Sequence, residues 1–360
     1  MTQLFHCARW LGWGICVIAL SSCGGGSSGA PLSGGTNLVN AACEKFHPGM
    51  EFRVASSNAR QLNGVAQLQY DFQNYDVHNF NGILYQIDWG NIETSPGVYN
   101  WSELDQVLNE VKAAGKYLRV RIEDRTFFTG CNSNFIPSYV ARDPNPVDPN
   151  MCYARIWEQN TMDSYIAVVT AMVNRYASDP TFVGVADEET ALDAVTLNTT
   201  PSLYATALYP QLTRLASAVH VAAPDILFTQ DFNWPYLGNI SYFTTMANQM
   251  VAQGGGGIGW PDSLVADEYT YNWYSLARQY YAKLLIAPEV QSGAGTATTV
   301  NAALADNEAV YQMLVGDMHA NIIVWDTWNV GLGSNYFPQV VIPIVNNHAG
   351  MVTNTACPYH

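Results

Sequence analysis

The sequence predicts an α/β fold closed as a single (β/α)8 TIM barrel, on three observations. Short β-branched runs alternate with helical stretches along the chain, the pattern of parallel βα units. Eight such runs can be placed. From about residue 48 onward no Gly/Ser linker or low-complexity tract divides the chain, and the remaining 310 or so residues suit one elaborated barrel.

The eight candidate strands are Glu51 to Ala55, Gly82 to Trp89, Tyr117 to Glu123, Phe182 to Asp187, Ile226 to Asp231, Gly257 to Asp262, Leu284 to Glu289 and Asn321 to Trp328. Between them, Ser102 to Ala114 puts Leu104, Val107, Leu108 and Val111 on one helical face. Glu103 and Asp105 stand at its start and Gly115 at its stop, as helix ends favour. Met162 to Tyr176 does the same with Ile166, Val169, Met172 and Val173, so both read as helices wrapped round a barrel. The Tyr269 to Tyr281 stretch can be a helix or a loop followed by one.

The chain's 360 residues are 48% hydrophobic and only 12% charged, which supports a large core and excludes a disordered chain. Its 30 acidic residues against 15 basic ones give a net charge of -15, which repels a phosphate backbone, so nucleic acid is not an expected partner. Ten Trp and 21 Tyr supply flat amphipathic faces that suit a core and sugar rings alike.

The N-terminus reads as an export signal. Arg9 precedes an apolar run from Trp10 to Leu20, shorter than a membrane-spanning helix needs. Leu20-Ser21-Ser22-Cys23 resembles the bacterial lipobox, in which the Cys is acylated and becomes the new N-terminus, and a Gly/Ser segment follows as a flexible tether. Residues 1–22 are thus expected to be a signal peptide, 23–47 the lipidated Cys23 and its tether, and 48–360 the barrel. The resemblance implies an exported, lipid-anchored protein at the outer membrane or cell surface, since Gly24 rather than Asp follows the Cys. Of the seven Cys, Cys43, Cys131, Cys152 and Cys357 remain in the exported domain, an even number in an oxidising compartment. Cys43 is expected to pair with Cys357, because the chain ends of a closed barrel lie close together, and Cys131 with Cys152, because they bracket one Pro- and Asp-rich loop. Neither these four nor the seven His have metal-site spacing, so no metal and no cofactor are expected. A monomer is expected.

On strand three, Arg119, Arg121 and Glu123 alternate with Leu118, Val120 and Ile122. In a barrel strand the aliphatic face meets the helices, so the charged face points inward, where charges must find partners. The fourth strand ends in Asp187-Glu188-Glu189, three adjacent acids whose mutual repulsion gains nothing for stability. The seventh ends at Glu289, after Pro288, whose missing N–H marks a strand end and leaves Glu289 at the C-terminal rim. Strands four and seven face one another across a barrel mouth, so two carboxylates can flank one bond. Glycoside hydrolysis needs such a pair, one protonated and one ionised.

An acid/base on strand four and a nucleophile on strand seven resembles the clan A retaining glycoside hydrolases. Trp89-Gly90-Asn91-Ile92-Glu93 with Gly97-Val98-Tyr99-Asn100-Trp101 is similar to that clan's strand-two segment, and Ile322-Ile323-Val324-Trp325-Asp326-Thr327-Trp328 to its last strand, whose Trp floors a sugar subsite. The resemblance implies Glu189 as acid/base, Glu289 as nucleophile, and a poly- or oligosaccharide substrate. Where the clan has Asn before the acid, Glu188 stands here. Either Glu188 takes over the hydrogen bond to the sugar 2-hydroxyl, or Glu188 is the acid with Asp187 before it. The Glu189-Thr190-Ala191 run, similar to Gln-Glu-Thr-Ala in barrel hydrolases, favours Glu189. Further substrate-binding candidates are Trp325, Trp89, Trp234 and Trp260, with Arg121, Glu123 and Asp262. The competing reading is a surface lipoprotein that binds glycans on a barrel without cutting them. The sugar, the linkage and the endo or exo mode are not written in these motifs.

Overall fold

A computed structural model of the chain describes residues 43–359 apart from 57–63, 128–129, 133, 146–147, 193–206, 234–238, 268–271, 292–296 and 330. The expected signal peptide, Cys23 and most of the tether therefore lie outside the described residues, as does Trp234. Eight parallel strands are present: β1 (Gly49–Ala55), β2 (Gly82–Asp88), β3 (Tyr117–Glu123), β4 (Phe182–Glu189), β5 (Leu227–Asp231), β6 (Gly257–Gly259), β7 in two pieces (Leu285–Ile286 and Glu289–Val290) and β8 (Ile322–Trp325). Each is followed by a helix: α1 (Gly64–Asn74), α2 (Ser102–Ala113), α3 (Gln159–Tyr176), α4 (Tyr209–Ala222), α5 (Ser241–Gln253), α6 (Tyr274–Tyr280), α7 (Val300–Gly316) and α8 (Ile342–Asn347).

Strand β7 closes the barrel. Its first piece pairs with β6 and its second with β8, so the two ends of the hydrogen-bonded sheet are one strand. Pro288 does not end this strand, as the sequence suggests; it interrupts it, because the ring removes one donor while its carbonyl still accepts from the Val324 amide at 3.0 Å. On the other side Ala287 and Glu289 donate to Ile258 and Trp260 at 2.9 and 2.8 Å. The chain is a (β/α)8 barrel, as its alternating pattern predicts.

Alternation along the strands divides the apolar residues into two cores. Phe52, Val54, Ile83, Ile87, Leu118, Val120 and Ile122 face outward and pack with the buried helix faces. Leu84, Ala186, Leu227, Leu285, Ala287, Ile322 and Val324 fill the interior, together with Phe46 and Tyr359 from beyond the strands. On α2, Leu104, Val107 and Val111 are buried as predicted. On α3 the buried stripe runs through Tyr165, Val168, Val169, Met172 and Val173, with Ile166 at its edge.

The N-terminal end of the barrel is stoppered by both ends of the described chain. A Cys43–Cys357 disulfide joins segments 314 residues apart, and the Cys131–Cys152 disulfide staples the excursion after β3, so both pairings match the expectation. Tyr359 donates its hydroxyl to Gly256 O at 3.1 Å, and the Lys45 ammonium donates to the Ala177, Asp179 and Phe182 carbonyls at 2.7–3.0 Å. The β3–α3 excursion carries a small antiparallel sheet, Arg125–Thr126, Cys152–Ala154 and Arg142–Pro144. It packs on the turn after β2: Gly90 donates to Phe135 O at 2.7 Å, and a Cβ on Gly90 would lie 1.7 Å from Asn134 O. The described residues lie within the compact unit Gly35–His360, and among them no helix is long and apolar enough to cross a membrane.

Candidate active site

The inward positions nearest the C-terminal ends of the strands are polar. Arg53 on β1, Gln86 and Asp88 on β2, Arg121 and Glu123 on β3, Glu188 on β4, Asp231 on β5 and Glu289 on β7 share this end with Asp326, just past β8. Buried ions need partners, and Arg53 pairs with Asp326 while Arg121 pairs with Asp231 and Glu289. Deeper, Arg119 makes an ion pair with Glu51 at 2.8 Å and donates to Thr229 Oγ1 at 3.0 Å; Gly184 leaves room for its side chain.

Glu289 lies where two cations converge. Its carboxylate accepts a short hydrogen bond from Arg121, with Arg53 Nη1 at 3.5 Å and the Gln291 amide at 3.1 Å. Burial works against its charge, but Arg121 and Arg53 outweigh burial and hold the carboxyl below its ordinary range. Arg53 also grips Asp326 at 2.9 Å. Glu289 is therefore ionised at neutral pH.

The three acids of β4 take three different positions. Asp187 turns to the helix side, with Oδ1 3.1 Å from the Tyr165 hydroxyl of α3. Burial, then Asp124, push it up to about 7. Glu188 faces the barrel axis; it accepts from Gln86 at 3.0 Å and lies 3.8 Å from Arg121 Nε. The pairing with β5 then slips, from Asp187 opposite Gln230 to Glu189 opposite Asp231. This irregularity breaks the alternation that would send Glu189 the way of Asp187, and such bulges re-aim side chains at barrel rims. Glu189 reaches Asn233 beyond β5 and accepts a short hydrogen bond from its amide. Burial pushes the Glu189 carboxyl up to about 7; Arg125 and Asn233 oppose the rise, while Glu188 and Asp262 add to it.

The mouth thus holds two carboxyl groups of opposite proton affinity, Glu189 raised and Glu289 lowered, on β4 and β7. Arg121 links the β4 and β7 ends through Glu188, at 3.8 Å, and Glu289. Arg125 fixes the backbone after β4, donating to Glu189 O at 2.9 Å and Ala191 O at 2.7 Å. Glu123, next to Gln86, is pushed well above the usual carboxylate range, by burial first and then by Asp88 and Glu188. Among the described residues no group of three or more His, Cys, Asp or Glu is placed to hold a metal ion.

No family model and no curated protein matches the sequence. Solved structures do. The catalytic domain of a beta-amylase from Paenibacillus polymyxa superposes with a TM-score of 0.58 at 10% identity, over 87% of this chain and all of that one. Native xylanase 10B from Thermotoga maritima superposes with a TM-score of 0.53 at 11% identity, over 87% of this chain and 97% of that one. The barrel fold is shared. At such identities the likeness is one of architecture, and the chemistry rests on the side chains just described.

The aromatic candidates require correction. Trp325 is fully buried on the outer face of β8, its indole N–H 3.3 Å from Met50 Sδ. Trp89 is fully buried against Tyr165 and donates to Glu93 at 2.7 Å. Trp260 is buried against Tyr274. None of the three has a face free for a sugar ring, because each adjoins an inward-facing residue and so points at the helices. The Trp89–Glu93–Gly97 motif is a structural clamp, with Glu93 also accepting from the Gly97 amide at 2.7 Å. Trp328, half-buried past β8, keeps exposed surface. Glu188, Arg121 and Glu123 do face the mouth, while Asp262 is exposed on the rim beyond β6. Arg53, Gln86 and Asp326 were not singled out from sequence, although inward parity on β1, β2 and β8 marks them as surely as it marks Arg121.

Proposed function

We propose that the chain is a glycoside hydrolase of the clan A type, acting with retention on a poly- or oligosaccharide, with Glu189 as acid/base and Glu289 as nucleophile. The observation that carries this reading is the split in proton affinity across the mouth: Glu189 raised to about 7, Glu289 held ionised by Arg121 and Arg53. Protonated Glu189 gives its proton to the leaving glycosidic oxygen while Glu289 attacks the anomeric carbon, forming a glycosyl ester. Glu189, now ionised, then takes a proton from water as that water breaks the ester, which restores both groups. Glu188, beside Glu289 and bound by Gln86, is suited to hold the sugar 2-hydroxyl; Asp187, turned to α3, is not. The barrels of the beta-amylase and the xylanase support the class of chemistry.

Export through residues 1–22 and acylation of Cys23 belong to the same proposal, as does attachment at the outer membrane or cell surface. The test is product stereochemistry. Incubated with a polysaccharide panel, the protein should release sugars whose first-formed anomer matches the bond cleaved, and Glu289→Gln should abolish release with folding intact. Inverted product would reject Glu289 as nucleophile. A glycan bound tightly yet never cut across the panel would replace the hydrolase with a binding protein.

A further inference from the structure

One carboxyl group at the base of the site has no part in the mechanism above. Asp231 is buried at the end of β5, its Oδ2 2.5 Å from Arg121 Nη2. That nitrogen also binds Glu289, so one guanidinium arm holds the two carboxyl groups side by side. Two carboxylates so close on one cation repel each other, and a proton on one of them relieves that repulsion.

The surroundings decide which group carries it. Glu289 accepts from Arg121, Arg53 and Gln291, three donors that favour its charge. Among the described residues Arg121 is the donor to the Asp231 carboxyl, and Glu188 of β4 adds a negative charge nearby. From β6 comes Gly259, which brings no charge at all: a Cβ there would fall 2.3 Å from Asp231 Oδ1, so that side of the carboxyl rests on bare backbone. Burial and the neighbouring acids push Asp231 well above the usual range despite Arg121.

We propose that Asp231 is a neutral carboxylic acid that donates a hydrogen bond to Glu289, making it a positioning residue for the nucleophile. The inference rests on the reading of Glu289 as nucleophile for its kinetic consequence, but not for the location of the proton. When Glu289 forms the glycosyl ester its charge disappears and the bond from Asp231 weakens; when water breaks the ester the charge returns and the bond strengthens. Asp231 therefore assists the second half of the reaction, the departure of Glu289 from the sugar, more than the first.

Two measurements test this. Infrared difference spectra of the whole folded protein, wild type against Asp231→Asn at pH 7, should show the carbonyl stretch of a protonated carboxyl group, shifted in heavy water and missing from the variant. A difference confined to ionised-carboxylate bands would overturn the proposal. In kinetics, Asp231→Ala should lower kcat roughly a hundredfold with KM falling alongside, as ester breakdown becomes limiting. Asp231→Asn, an isosteric donor, should recover most of that loss. Equal losses in Asn and Ala would also overturn it. A protonated band in a protein that cuts no glycan would leave the proton on Asp231 and reject the hydrolase instead.

Discussion

Replacing Glu189 by Gln should stabilise the fold and cripple the enzyme at once. The carboxyl is raised from 4.5 to about 7, so the folded protein holds that proton more tightly than the unfolded chain does. For an acid raised in this way, stability is fully present below about pH 4.5 and is lost as pH climbs toward 7. At about 1.36 kcal/mol per pH unit the displacement is worth roughly 3 kcal/mol, and the surface that Glu189 keeps at the mouth reduces this by screening to about 2 kcal/mol. Gln retains an oxygen to accept from Asn233 but has no charge to bury. Urea unfolding should therefore show Glu189→Gln about 2 kcal/mol more stable than wild type at pH 8 and indistinguishable from it at pH 4. In the same preparations, wild-type kcat/KM should fall about tenfold per pH unit above pH 7, as the acid ionises. The variant should lose roughly 10²- to 10⁴-fold in rate and lack that alkaline limb. Equal stability gains at both pH values, or an unchanged alkaline limb, would refute the claim that burial at this rim makes Glu189 the acid.

Asp71 on α1 is fully buried, with one oxygen bound by Gln67 at 2.7 Å and the other unpartnered, and burial lifts it from 3.8 to about 7. Ionising it costs roughly 4 kcal/mol, so stability is lost between about pH 4 and 7; Asp71→Asn, less about 2 kcal/mol for its own unpaired amide, should gain about 2 kcal/mol in urea unfolding at pH 8 and lose about 1–2 kcal/mol at pH 4. Gly259→Ala would bring a methyl within 2.3 Å of Asp231 Oδ1 and 2.5 Å of Ala287 O. It should destabilise by about 1–3 kcal/mol and lower kcat at least tenfold; an unimpaired Ala variant would mean that Asp231 does not need its place against β6.

The sequence carried the barrel well because period and parity are local properties. Tyr117–Glu123 alternates so regularly that both its span and its inward charges could be read directly. The same rule, applied to Asp326 on the last strand, would have sent Trp325 outward; a motif likeness took precedence there, and burial of the indole shows that parity governs. What could not be read was anything set by a neighbouring strand. The slip that separates Asp187 from Glu189 belongs to the pairing of β4 with β5, and no feature of Asp-Glu-Glu alone records it. Pro288 shows the converse, since a residue expected to end a strand is tolerated within it when its carbonyl and its neighbours' amides still pair. The room for the Asp231 carboxyl beside Arg121 depends on a glycine of the neighbouring strand, Gly259.

The stopper formed by Cys43 to Phe46 and Cys357 to Tyr359 has a practical consequence for handling the protein. Any surface, bead or fused partner attached through chain before Cys43 or after Tyr359 leaves from the floor of the cylinder, so the opposite opening still faces bulk liquid. A polymer too large to diffuse through a matrix can then be brought to an immobilised layer of the protein whose barrel mouths are not covered by the point of attachment.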